Sequence, residues 1–140
     1  MTLKRLLNGQ EKIVIDTNNL ISAIGWEGKS RDLLRKVINK ESDLVISIKQ
    51  IIELKRVMNY PKFKFTKSQK DRFMKILFEI ASIINTKTKL CVVEDPDDNM
   101  LVECAVEAKA NYIISGDIHL KKLKKFKNIK VMSVSDFLKK

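Results

Sequence analysis

Alternation predicts an α/β fold built on a central parallel sheet of about five strands. Five short runs rich in valine and isoleucine are separated by stretches whose apolar residues recur at helical spacing. The runs are apolar throughout rather than at every second residue, the pattern of strands covered on both faces. Strand and helix alternate, with two consecutive helices between the second and third runs. This order suits right-handed crossovers between parallel strands.

The strand runs are 12–15 (KIVI), 43–47 (DLVIS), 90–93 (LCVV), 111–115 (NYIIS) and 129–133 (IKVMS). Between the first two, Leu33, Leu34, Val37 and Ile38 form a helical stripe in 31–40. Ser47 and Gln50 make a candidate capping box before IIELKRVM. Thr66 and Gln69 make a second, opening KDRFMKILFEIASII, where Phe73, Leu77, Ile80 and Ile84 share a side. Residues 99–110 form the next helix with Asp98 as candidate N-cap. The last helix, SDFLKK, starts near Ser135.

One domain over residues 1–140 is expected, since a chain of this length buries a real core. Two prolines and four glycines leave no linker-like composition. Cys91 and Cys104 lie in apolar surroundings without zinc or redox spacing, and both are expected to be small buried hydrophobes in a reducing compartment. No apolar run reaches the ~20 residues of a membrane helix. The opening MTLKRLLNGQEK has no signal-peptide core. A cytoplasmic location is the expectation.

Charge narrows the partner. Lysine and arginine number 28 against 17 acids, a formal net charge of +11 at pH 7. That surface favours a polyanion such as nucleic acid, although a merely solvated lysine-rich face has the same composition.

Against this basic background, acids gather at strand ends. Asp16 ends the first run; Asp117 follows the fourth in ISGD; Asp95, Asp97 and Asp98 follow the third in EDPDDN; Glu53 lies in the helix after the second. Parallel strands would bring them to one edge of the sheet, where α/β proteins bind ligands. Clustered carboxylates repel and call for a counterion. An all-oxygen set suits Mg²⁺ or Mn²⁺, and one histidine without a thiolate cluster argues against zinc. In a basic protein, such a site suggests phosphodiester chemistry. Taken singly, each acid has a plainer reading. Asp16 and Asp98 suit helix caps, Glu53 an ion pair with Arg56 or Lys49, and Asp117 a turn.

The stretches IVIDTNNLISA, ISIKQIIELKRVMNYPKF and DPDDNMLVECAVEAKANYIISGDIHLKKL resemble, in order and spacing, the PIN-domain family. Within it they look most like the VapC-related toxins of prokaryotic toxin–antitoxin systems. The resemblance runs from Lys12 to Leu138 and implies a three-layer α/β/α fold. It implies a metal-dependent ribonuclease that leaves a 5′-phosphate and a 3′-hydroxyl. By the same resemblance Asp16, Glu53, Asp98 and Asp117 are the metal-binding and catalytic acids, holding one or two Mg²⁺ or Mn²⁺ ions, with Asn18 and Ser115 as polar support. It further implies an antitoxin partner and a homodimer. Asn19 departs from the apolar residue expected there, which puts the packing of the first helix in question.

RNA binding is expected to be electrostatic, through Lys121, Lys122, Lys124 and Lys125 beside the last acid, and through Lys55 and Arg56. Tyr60, Phe63 and Phe65 lie near this charge and suit either base stacking or core packing. His119, the chain's one histidine, reads as a turn or packing residue. The alternative to an enzyme is a non-catalytic RNA-binding module of the same fold, its acids serving only as caps.

Overall fold

The computed structural model describes residues 10–140. The N-terminal stretch read for signal-peptide character falls largely in 1–9, outside the described residues. The elements in order are β1 (Lys12–Ile15), α1 (Thr17–Gly25), α2 (Lys29–Ile38), β2 (Asp43–Ser47), α3 (Ile48–Met58), a 3-10 turn (Pro61–Phe63), α4 (Lys67–Ile80) and β3 (Ala81–Ile84). There follow α5 (Pro96–Ala108), β4 (Tyr112–Ile114), α6 (Ile118–Lys121), β5 (Lys125–Phe126), β6 (Ile129–Met132) and α7 (Val134–Leu138). No helix among the described residues is long and apolar enough to cross a membrane.

Among the described residues six strands form one sheet in the order β3-β2-β1-β4-β6-β5, one more than expected. All pair parallel except β5, which folds back antiparallel on β6. The chain winds outward from β1 to β2 and β3, then crosses to β4 on the other side of β1. The switch point therefore lies between β1 and β4, and a crevice opens beyond their carboxyl ends.

Strand side chains alternate between two cores. Ile13, Ile15, Leu44, Ile46 and Ile114 face α1–α4 and α7, packing against Leu20, Leu33, Leu54 and Leu77. Val14, Val45 and Ile113 face α5 and α6, packing against Leu101, Val102, Cys104 and Leu120. Burial on both faces explains why these strands read as unbroken apolar runs. Each such side chain contributes ~1.5–3 kcal/mol by leaving water.

The third strand is not where the sequence placed it. Residues 81–84, read as the tail of a helix, form β3, in register Leu44↔Ala81 and Ile46↔Ile83. The helix stops at Ile80, and Ala81 is already extended at φ −96°, ψ 145°. Residues 90–93 are coil, because α5 takes their backbone donors. Asn99 Oδ1 accepts from the Val92 and Val93 N–H groups at 2.8 and 3.0 Å, and Glu103 Oε2 from Leu90 N–H at 2.8 Å. Glu107 Oε2 does the same for Lys87 and Thr88, at 2.6 and 2.7 Å. Asn99, Glu103 and Glu107 stand four residues apart on one helix face, so a ladder of side chains replaces a neighbouring strand.

Smaller differences also have physical reasons. Asp95, not Asp98, caps α5 by accepting from Asp97 N–H at 2.9 Å, with Pro96 in the first turn. Thr66 and Gln69 form the full capping box. Ser47 caps α3, but Gln50 sends its side chain to the Ile15 carbonyl at 2.7 Å instead of returning it. The last helix is capped by Ser133, two residues before the expected start. Cys104 is buried as expected, its thiol pushed up to about 12 by burial and Glu107, whereas Cys91 is exposed.

Candidate active site

Asp16 leaves β1 and caps α1. Its Oδ1 accepts from Asn19 N–H at 2.8 Å, and its Oδ2 accepts from Ser115 Oγ at 2.7 Å. Asp16 N–H donates to the Ile114 carbonyl at 3.0 Å, which pins the residue across the β1/β4 seam. Burial raises the Asp16 pKa, and the bonds from Ser115 and Asn19 oppose that rise.

Ser115, fully buried at the end of β4, also accepts from Asp117 N–H at 3.0 Å. One hydroxyl thus fixes the spacing of the two strand-end acids. Asp117 Oδ1 caps α6, accepting from His119 N–H at 2.8 Å and Leu120 N–H at 3.1 Å. The His119 side chain itself is exposed.

The other acids arrive on helices. Glu53, in the middle of α3, accepts from Thr17 Oγ1. Burial raises its pKa and Asp97 adds to the rise, while the Thr17 bond opposes it. The ion pairs weighed for Glu53 do not form: Lys49 lies 3.7 Å from Glu103 instead, and Arg56 bonds the Tyr60 hydroxyl.

Asp98, in the first turn of α5, is buried, and its Oδ2 finds no hydrogen-bond donor among the described residues. Burial, and then Asp117, Asp95, Asp16 and Asp97, push its pKa up to about 6.

All six carboxylates line one cleft of about 220 Å³ with Thr17, Asn18, Arg56 and Tyr60. Arg56 is the one cation among those lining residues. The expected convergence of Asp16, Glu53, Asp98 and Asp117 is therefore present, with Asn18 at the rim and Ser115 beneath. Thr17 was missed in the sequence, though a hydroxyl directly after a strand-end acid is a signal that would have found it.

The chemistry of this donor set fits a hard divalent ion: oxygen ligands only, mutual repulsion that raises pKa values, and one buried carboxylate oxygen without a donor. No three of these side chains are already drawn together as a finished metal-holding group among the described residues.

The RNA-binding candidates fall into two groups. Lys121, Lys122, Lys124 and Lys125 are exposed along α6 and the β5–β6 hairpin, at the sheet edge opposite β3. None of the four forms an ion pair with a described residue. Lys55 lies 6.0 Å from the Phe78 ring, away from the cleft lining, whereas Arg56 is part of it. Asn19, the unexpected polar residue of α1, accepts from Ser30 Oγ at 3.0 Å and so ties α1 to α2.

Fold and cleft together define an α/β protein with an acid-lined site at the switch point of its sheet. A family model described as PIN domain matches residues 12–119, and the chain belongs to the PIN-domain family, whose members are generally nucleases. Among solved structures, the fold is similar to a chain in the crystal structure of VapBC2 from Rickettsia felis bound to a DNA fragment from their promoter. The TM-score is 0.61 at 17% identity, over 86% of this chain and 96% of that one. No curated protein sequence is similar enough to count as a match.

Proposed function

We propose that the chain is a metal-dependent endoribonuclease, the toxin component of a toxin–antitoxin pair. One observation supports this above the rest: four acids from four separate elements meet in one cleft of a protein with net charge +11. Likeness in fold to a chain of VapBC2 supports the toxin assignment and, with it, a protein antitoxin as partner. A homodimer and a cytoplasmic location belong to the same reading.

In this reading Asp16, Asp98 and Asp117 hold Mg²⁺ or Mn²⁺, one ion or two, and Glu53 ligates or orients water. The ion supplies charge neutralisation at the phosphoryl oxygen and a lowered pKa for water. Ser115 keeps Asp16 and Asp117 at fixed spacing, and each Asp16 oxygen, accepting one bond, keeps a second lone pair for the ion. Thr17 holds Glu53 by its carboxylate, so that the other oxygen can take a water proton. Arg56 is placed to meet a substrate phosphate that the acids alone would repel. The lysines of α6 and the hairpin gather RNA by its backbone charge, which makes affinity fall with salt.

The test is incubation of total RNA with the full chain and Mg²⁺ or Mn²⁺, with the cut ends mapped. The parent should cleave to 5′-phosphate and 3′-hydroxyl ends. Asp16→Asn should lose more than ~100-fold in rate, beyond the usual cost of losing an outer-shell partner, with an unchanged circular dichroism spectrum. RNA binding without metal-dependent cleavage by the parent would favour the non-catalytic module instead.

A further inference from the structure

Trp26, the chain's single tryptophan, is 54% exposed at the end of α1 remote from Asp16. Its surroundings are ordered. Phe63 and Phe65 stack at 5.5 Å with planes 11° apart, and the indole meets them at 6.4 and 6.1 Å. Phe65 comes this close because residue 25 is glycine: a Cβ there would lie 3.0 Å from Phe65 Cε1. The two phenylalanines are partly buried against the core. They steady the indole, which also lines a hollow of about 400 Å³ together with Ser22, Glu27, Gly28, Lys29 and Ser30, the Glu27 carboxylate being paired with Arg31 and Arg35.

The hollow and the acid cleft lie at the two ends of α1. Asn18 and Ser22 stand four residues apart on one helix face, and Trp26 follows as the extended residue that ends α1. Asn18 lines the cleft, while Ser22 and Trp26 line the hollow. The eight-residue rise between Asn18 and Trp26 is ~12 Å. Ser30, also of the hollow, bonds Asn19, whose N–H bonds Asp16.

Cations flank the rings. Lys62 Nζ is 5.1 Å from the Phe63 centroid, and Arg56 Cζ is 5.8 Å from that of Tyr60. Arg56 and Tyr60 line the acid cleft, and the 3-10 turn links Tyr60 directly to Phe63.

An open aromatic face, hydroxyls and cations in one track are the means by which proteins hold unpaired nucleotides: the base stacks and its phosphate meets the charge. A duplex keeps its base faces covered and gains only the charge. We propose that Trp26 and its hollow form a stacking subsite for an unpaired nucleotide of single-stranded RNA. The phosphate to be cut lies in the acid cleft, one helix length away. This proposal rests on the nuclease reading and adds a base-binding subsite outside the acid cleft.

The lone tryptophan is its own probe. The full chain is titrated in EDTA, where metal-dependent cleavage stops, with a single-stranded RNA oligonucleotide, the same sequence as a duplex, and polyphosphate. Saturable quenching by the single strand, with little from duplex or polyphosphate, is expected. By anisotropy of labelled RNA, Trp26→Ala should weaken single-strand binding by at least ~5-fold, from the usual worth of one stacked base. Trp26→Phe should restore much of it, with thermal melts confirming that both variants fold. Equal quenching by all three polyanions, no quenching, or unchanged affinity in Trp26→Ala overturns the subsite, and the last would leave Trp26 to a protein partner. Cleavage by a parent that shows no quenching overturns the subsite alone. Quenching by a parent that never cleaves overturns the nuclease reading alone.

Discussion

The two walls of the acid cleft are built differently. On one wall, Asp16 and Asp117 follow adjacent strands of the switch point, and every bond their carboxylates accept comes from a backbone N–H or from Ser115. On the other, Asp98 rides on α5, reached by coil rather than strand, and its Oδ2 has no donor among the described residues. The strand wall is set by the sheet and settled by hydrogen bonds. The helix wall carries an unsettled charge that a cation or a proton would relieve. The difference teaches that one wall can act as a fixed frame and the other as the part that responds.

The largest effect that would break this contrast comes from Asp98→Asn. Cleavage should fall more than ~100-fold, as for a direct ligand rather than an outer-shell partner. The metal-free stability should move the opposite way. The folded carboxyl is pushed up to about 6, against an ordinary value of 3.8. Between those values the folded state holds a proton that the unfolded state has lost, so that group's effect on stability worsens as pH rises through the window. The variant should therefore gain on the parent from about pH 4 to about pH 6 and keep that gain to pH 7, as read by urea denaturation in EDTA. A variant less stable than the parent at pH 7 would mean that Asp98 is a settled structural group.

A middle effect sharpens the other wall. Ser115→Ala removes one bond to Asp16 and one from Asp117 while leaving both acids in place. Activity should drop ~10- to 100-fold, the usual cost of an outer-shell partner, and higher Mn²⁺ should recover part of it. A loss as deep as that of Asp16→Asn would place Ser115 itself among the reacting groups.

The smallest effect concerns the ladder that holds the coil. Asn99→Ala leaves the Val92 and Val93 N–H groups and the Val93 carbonyl without their partner. At ~1–3 kcal/mol for orphaned groups, Tm should fall by roughly 3–10 °C. An unchanged Tm would show that the coil is held by its apolar contacts alone.

The same contrast governs what was legible in the sequence. The strand wall could be read directly: β1, β2 and β4 are apolar runs buried on both faces, and Asp16 and Asp117 stand just past two of them. The helix wall was misread around its approach. Leu90–Val93 resembles a strand by composition, but its donors are taken by side chains of α5 six to thirteen positions further along the chain, which no strand pattern reports. β3 was hidden because nothing breaks the helical pattern at Ile80: neither glycine nor proline intervenes before Ala81. The cap was misread as Asp98, although Pro96 marks the first helical position and so points to Asp95. The Trp26 hollow depends on contacts between distant elements and needed the fold.

The central claim is that the acids of both walls share a hard cation. Anomalous diffraction from a crystal of the full chain soaked in Mn²⁺ tests it most directly. A peak in the cleft among the carboxylates of Asp16, Asp98 and Asp117 is the predicted result. Manganese bound elsewhere, with those oxygens left apart, would contradict it.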